Sequence, residues 1–417
     1  MTTELTSSQR GIILTAACLG LVFDGIELGL MPVVSLSVSK SLLGDQFTPA
    51  LGGEWFARFT AALMLGAAIG GIVLGNLGDR IGRTRAMGIS ILFYSIFALL
   101  GGWVRTQEEM LLLRFLVGLG VGGMWPNGMA LVAECWSAAS RPVVSGVMSA
   151  GLNAGILLLS QLARLAPITP DSWRWLFLLA GLPALLGIVV LTGVPESPTW
   201  LASRQGERKP APTIRELFGA DLWRTTLVAA VVASIPLVGA WSASKWMIPW
   251  ADSLASGTNP GYKAATQGWW ALGATLGSFV GAQLSNWMGR RRSYLLISLG
   301  SVVCTVALFQ ASAPGAPSFH PIVFTQGFVA TLFFGWLAVF LPEFFPARVR
   351  ASGCGLAYNV GRFATAVGVF AAGSLFALLN GDYPRVGAIC ALVYGLGLIA
   401  VWFIPRQKTL DSPPKAA

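Results

Sequence analysis

Charge is what this chain has least of. Asp, Glu, Lys and Arg make up 11% of its 417 residues, where a soluble globular domain carries about 25%. That shortfall excludes a soluble domain of this size. There is one histidine, His320, so no histidine-based metal cluster can be assembled. The five cysteines (Cys18, Cys135, Cys304, Cys354 and Cys390) lie in or beside apolar runs without paired spacing. They read as small buried hydrophobes, not as a disulfide framework or a metal site. No P-loop pattern occurs, which argues against nucleotide hydrolysis as a driving force. The glycine-rich "GLGVGG" (Gly118–Gly123) lies inside an apolar run with no strand before it, so it is no nucleotide loop. No catalytic constellation is visible and no cofactor is implied. Met1–Arg10 is polar and the first apolar run is too long for a signal h-region, so no cleavable signal is expected.

What the chain does have is apolar length. Hydrophobic residues make up 54% of it, and a helical membrane span needs about 20 of them in succession. That ruler marks twelve spans: 11–34, 55–75, 86–104, 110–133, 141–164, 173–194, 225–250, 266–287, 293–312, 321–342, 353–379 and 384–404. The expected fold class is an all-α integral membrane protein of twelve transmembrane helices.

The few charges are unevenly spread. One set of loops holds Arg80, Arg83, Arg85, Arg204, Arg208, Lys209, Arg215, Arg290, Arg291, Arg292, Arg348, Arg350, Arg406, Lys408 and Lys415. The opposite set holds few, such as Lys40, Arg105 and Lys263. Cytoplasmic loops are the basic ones, so both termini are expected in the cytoplasm. The net charge of +10 is then a topology signal and not a nucleic-acid surface.

The chain repeats itself. A hydrophilic stretch separates residues 1–194 from 223–417, six expected spans on each side, with 195–222 as a cytoplasmic linker. "LGAAIGGIVLGNLGDRIGRTR" (Leu65–Arg85) aligns without gaps on "LGATLGSFVGAQLSNWMGRRR" (Leu272–Arg292). Glu134 and Arg141 recur at the same separation as Glu343 and Arg350, and "LNAGI" (Leu152–Ile156) recurs as "YNVGR" (Tyr358–Arg362). Repeated halves place a substrate site between them near the bilayer midplane, with alternating access by rocking. Small-xxx-small pairs, including Gly66/Gly70, Gly118/Gly122, Gly151/Gly155 and Gly273/Gly277, favour close helix packing.

"GNLGDRIGRTR" (Gly75–Arg85) resembles the loop motif between the second and third spans of the major facilitator superfamily. "RFLVGLGVGGMWPNGMALVAE" (Arg114–Glu134) and "PESPTWL" (Pro195–Leu201) resemble motifs of its symporter branches. "DGIE" (Asp24–Glu27), "GGMWPNGMAL" (Gly122–Leu131) and "GR" (Gly361–Arg362) are most similar to the aromatic acid:proton symporters. That branch usually has an aromatic residue and an aspartate after "DG", where this chain has Ile26 and Glu27. The resemblance implies two pseudo-symmetric six-helix halves, a proton as coupling ion and an organic-acid substrate.

Asp24 and Glu27 are three residues apart in an apolar run, hence on one helical face. Intramembrane acids are functional by default, so both are proton-coupling candidates. The alternatives are pairing with a basic residue such as Arg58, or capping a helix broken at Gly25. Arg362 lies about 11 residues, hence ~16 Å, into its span. Its repeat equivalent is Ile156, so the shared fold did not require the charge. A guanidinium fork matches a carboxylate, which makes Arg362 the candidate substrate anchor; a salt bridge to Asp24 or Glu27 is the competing reading. Lys245 is either a second substrate contact or a snorkelling surface cation. Asn153 and Asn359 occupy matching positions, as substrate contacts or as interhelical glue. Tyr358, Trp241, Trp246 and Trp125 are candidates to stack on a ring, whereas Trp269 and Trp270 at a span start read as interfacial anchors.

Asp79, Arg80, Gly82, Arg83 and Arg85 suit a cytoplasmic charge latch that breaks when the halves rock, completed by Glu134 with Arg141 and Glu343 with Arg350. Arg114 heads its span and is either structural or part of coupling. The sequence therefore points to a monomeric, lipid-embedded symporter in a bacterial inner membrane that imports a small mono- or aromatic carboxylate with protons. An exporter or antiporter, or a carrier of a sugar or an organic cation, would share the fold.

Overall fold

The computed structural model describes residues 5–136, 141–205, 214–255, 258–346 and 349–405. Arg208, Lys209, Arg348, Arg406, Lys408 and Lys415 lie outside the described residues, as do the side chains of Arg141, Arg204 and Arg215. The regular structure described is helical: α1 (Ser7–Leu43), α2 (Pro49–Ile81), α3 (Arg83–Leu100), α4 (Gln107–Cys135), α5 (Arg141–Leu162), α6 (Arg174–Ala180), α7 (Pro183–Gly193), α8 (Pro198–Gln205), α9 (Ile214–Leu217), α10 (Trp223–Ser242), α11 (Met247–Ala255), α12 (Tyr262–Met288), α13 (Arg290–Gln310), α14 (Phe319–Phe340), α15 (Arg350–Leu378) and α16 (Tyr383–Ala400).

Local signals set several boundaries. Thr6 with Gln9 and Thr106 with Glu109 form capping boxes that open α1 and α4. Thr48 caps α2, with Pro49 in its first turn. Pro32 and Pro126 sit inside α1 and α4, where each removes one helical N–H.

Among the described residues, ten helical stretches are long and apolar enough to cross a membrane, and many of their large apolar side chains, such as Leu185, Val189 and Ile399, remain exposed as lipid would require. The sequence marked twelve. Two marked spans are interrupted: α6 passes into α7 through Gly181 and Leu182, and α10 ends at Ser242 before a 3-10 turn, Ser244–Trp246, leads into α11. The two not counted are α5, of which Gly146–Leu162 is described with its side chains, and α12, whose buried face is rich in Thr, Gln, Ser and Gly.

Packing recurs along the chain. α2 lies on α4 as α12 lies on α14, and α1 lies on α5 as α10 lies on α15. α3 flanks α4 and α7, as α13 flanks α14 and α16. Small residues make this possible: a Cβ on Gly66 would stand 3.0 Å from the Gly118 Cα, and one on Gly273 would stand 2.9 Å from the Phe328 nitrogen. The two sets meet where α2 packs on α15 and α5 packs on α12.

Candidate functional site

α1 carries both acids to the interior, Asp24 at 1% and Glu27 at 0% exposure. They share a face but not a partner. The Arg114 guanidinium of α4 donates to Glu27 Oε2 at 3.3 Å and to the Glu27 carbonyl at 3.1 Å. Asp24 Oδ1 and Glu27 Oε1 have no hydrogen-bond partner. The Arg362 charge acts on Asp24, though no described ion pair joins the two. Arg58 pairs with Glu54 and lies 4.7 Å from the Trp55 ring centroid, so it is not the partner of either acid.

Arg362 of α15 reaches across to α2 and α4. Its Nη1 donates to the Ala67 carbonyl at 3.0 Å and the Gly122 carbonyl at 3.4 Å. The guanidinium carbon stands 5.2 Å from the Tyr358 ring centroid. Tyr358 in turn stacks on Trp125 of α4, with centroids 6.2 Å apart and planes 4° apart. Asn359 joins this group, because Gly71 of α2 faces both it and Arg362. Four of the residues singled out by sequence therefore meet at one junction of three helices.

Lys245 and Trp241 lie elsewhere, around the break between α10 and α11. Lys245 is 1% exposed and so does not snorkel to a surface. Its ammonium stands 3.2 Å from the Trp270 ring centroid and 5.6 Å from that of Trp241, with no hydrogen-bond partner. Such a site is a cation–π contact. Trp270, expected as an interfacial anchor, is a 3% exposed platform; Trp269 beside it is 45% exposed. Trp246 is fully buried between Phe56 and Phe376. A polar network missed by sequence fixes the platform. Trp270 Nε1 donates to Gln326 Oε1 at 2.8 Å, Gln326 Nε2 donates to Ser244 and to Thr305, and Ser244 meets the Tyr394 hydroxyl at 3.2 Å. Asn153 Nδ2 donates to Ser278 Oγ at 2.9 Å, joining α5 to α12.

The loop-motif residues gather at one end. Arg83 pairs with Asp79 at 2.6 Å and with Glu134 at 3.4 Å. Sequence reasoning missed the strap that ties them: Glu196 accepts from the Thr84 N–H, Thr84 Oγ1 donates to the Pro195 carbonyl, Ser197 donates to Glu134, and Trp200 Nε1 donates to the Asp79 carbonyl. Gly82, at φ +115°, makes the turn between α2 and α3 and leaves room for the Glu196 carboxylate. Arg80 and Arg85 are exposed. The expected Glu343–Arg350 pairing is replaced, for Glu343 pairs with Arg290, and Arg350 donates to the Phe345 carbonyl. Glu134 meets Arg83, while the Arg141 side chain lies outside the described residues.

The opposite end holds a second buried pair. Lys263, which the sequence placed in a loop, is inside α12 and binds Asp252 at 3.0 Å, both nearly inaccessible. Lys263 also donates to Ser37 Oγ of α1 at 3.1 Å, and Ser37 donates to the Ile168 carbonyl.

The Major Facilitator Superfamily model matches residues 12–369. Relatives include a probable 4-methylmuconolactone transporter of Cupriavidus pinatubonensis, 30% identical over 84% of this chain and 81% of that protein. A cis,cis-muconate transport protein of Acinetobacter baylyi is 29% identical over 95% and 94%. The 3-(3-hydroxy-phenyl)propionate transporter of Escherichia coli is 26% identical over 98% of each. Among solved structures, the xylose transporter XylE of E. coli, in a partially occluded inward-open conformation, superposes with a TM-score of 0.76 at 19% identity, covering 97% of this chain and 100% of that one. The chain belongs to the Major Facilitator Superfamily and is a multi-pass membrane transporter, not an enzyme.

Proposed function

We propose that this protein is a proton-coupled symporter that imports a small organic anion, a mono- or aromatic carboxylate, by rocking two six-helix halves about a central site. The observation that carries the reading is Arg362. It is a guanidinium placed mid-span where α15 meets α2 and α4, within the field of Asp24 and free of any described ion pair. Its five donors suit a carboxylate, and the parallel Trp125–Tyr358 rings offer a surface to an aromatic or conjugated body. The relatives' names, which specify organic acids or their lactone, support the same class.

On this reading α5 and α12 also cross the membrane, giving twelve spans with both termini in the bacterial cytoplasm. The repeated packing of α1–α7 in α10–α16 supports two halves, 1–194 and 223–417, joined by the linker. On the same reading the outer end is closed in this state, a view supported by Lys263 donating to Ser37 from α12 to α1. At the cytoplasmic end the described ion pairs stay within a half. Asp24 and Glu27 take the proton, and Arg114 ties Glu27 to that step. Coupling requires that proton and substrate each favour one state over the other.

The test is uptake into proteoliposomes across a panel of labelled carboxylates, with and without an inward proton gradient. Wild-type protein should concentrate at least one acid only with the gradient. Arg362→Ala should raise KM by about 30-fold or more. A wild-type protein that accumulates no acid, or an Arg362→Ala variant that transports normally, would overturn the reading.

A further inference from the structure

We propose that Pro126 and Gly71 build a seat for the Arg362 guanidinium, a pair of backbone carbonyls on α2 and α4 that holds the arginine until a carboxylate draws it away. The proposal deepens the anion reading above and rests on it for the identity of the competitor. Within α4 the Gly122 carbonyl should accept from the N–H four residues on, but that residue is Pro126, which has none. The carbonyl is therefore stripped of its helical donor in a buried stretch, and Arg362 Nη1 supplies one at 3.4 Å. The second carbonyl, Ala67, accepts the same Nη1 at 3.0 Å. It is reachable because Gly71, the next residue along that face of α2, has no side chain. A Cβ at Gly71 would stand 2.6 Å from Asn359 Oδ1 and 3.0 Å from Arg362 Nη1. One turn further, a Cβ at Gly75 would meet nothing closer than 3.7 Å, so Gly75 serves as a control without this clash.

The shared fold does not demand this proline. Counted back from the Glu134/Glu343 pair, the counterpart of Pro126 is Gly335. Proline and arginine thus belong to opposite members of the repeat and meet only across the interface. Two carbonyl dipoles hold a guanidinium less strongly than a carboxylate, which offers two acceptors and a full charge. Substrate arrival therefore lifts Arg362 from α2 and α4, which removes one tie between the halves. Pro126 and Gly71 are positioning residues, acting through Arg362.

A ligand-free double-mutant cycle tests this. With the native cysteines replaced, spin labels go on Asp45→Cys and Ala313→Cys, exposed positions at the outer end, and the distance distribution gives the closed-to-open ratio. Pro126→Ala and Gly71→Ala should each lower that ratio about three- to tenfold. In an Arg362→Gln background the same changes should alter it by less than about twofold, as should Gly75→Ala in either background. Shifts of equal size with and without Arg362 would mean that Pro126 merely bends α4, and would overturn the proposal. So would an absence of any shift where Arg362→Gln alone produces one. Absence of acid uptake would overturn the anion reading by itself, and the cycle, which uses no ligand, still decides the seat.

Discussion

Glu27→Gln isolates the worth of one buried charge, because the substitution keeps the shape of the site. Arg114 would still donate to the Glu27 backbone carbonyl, now at 3.1 Å, and an amide oxygen could still accept from its Nη1. What disappears is the counter-charge, for side chains 1% and 0% exposed. At an effective dielectric of 20, unit charges 3.3 Å apart attract by about 5 kcal/mol. Removing one member of a buried pair costs about 3–5 kcal/mol, and the two routes agree. Over 417 residues that corresponds to a melting temperature lower by ~3–6 °C. Glu27→Gln with Arg114→Gln should recover to within about 1 kcal/mol of wild type, since an uncharged pair leaves no orphan charge. Melting of both variants in detergent, followed by tryptophan fluorescence, reads the effect. Exchange of labelled for unlabelled substrate should persist in Glu27→Gln while gradient-driven accumulation fails. A single variant as stable as wild type, or a double variant no better than the single, would refute the ion-pair argument.

Two further substitutions probe the other buried cations. Lys245→Met removes an ammonium with no hydrogen-bond partner and should leave the melting temperature unchanged or raise it, while raising the KM of the transported acid about tenfold; a clear loss of stability would count against an uncompensated lysine. Lys263→Met strands Asp252 and frees Ser37, so it should increase maleimide labelling of cysteines introduced along the outer interface between α1 and α12; unchanged labelling would mean that this pair does not hold the outer end shut.

What the sequence displayed best were charges inside apolar runs. Asp24, Glu27 and Arg362 are conspicuous because no basic residue interrupts the run around the two acids and no other charge the run around Arg362, and the structure buries or half-buries each. It hid charges near span ends. Lys263 follows "GTNPGY" and reads as loop, yet α12 begins at Tyr262 and turns the lysine inward. Arg114 sits one helical turn after Met110, and only the packing of α4 on α1 shows that it meets Glu27. α12 was legible as a span by position but is less apolar than its neighbours, because its Gln267, Thr266 and Ser278 face protein rather than lipid. The Glu196 and Ser197 strap was beyond reach for a different reason. It bonds residues more than 60 positions away, and no local pattern encodes such contacts.

On the proposed reading, the interior charges suggest why one anion would suit this carrier. Among the described interior groups Arg114 matches Glu27, and Lys263 matches Asp252. Asp24, Arg362 and Lys245 remain outside any described ion pair. In their ordinary charge states these three leave one net positive charge in a low-dielectric core. Such a charge is costly to enclose, because several kcal/mol of hydration per ion is forfeited. One carboxylate brings the sum to zero; a dicarboxylate would do so only together with one proton. If the halves rock as proposed, the site is enclosed from both sides at some point of the cycle, and the content closest to neutral passes that point with the smallest desolvation cost. The same arithmetic gives Asp24 its role on the proposed reading. Protonating Asp24 raises the sum to +2 and one carboxylate lowers it again to +1, so each favours the other's presence in the core, which ties proton and substrate to the same movement without requiring them to touch.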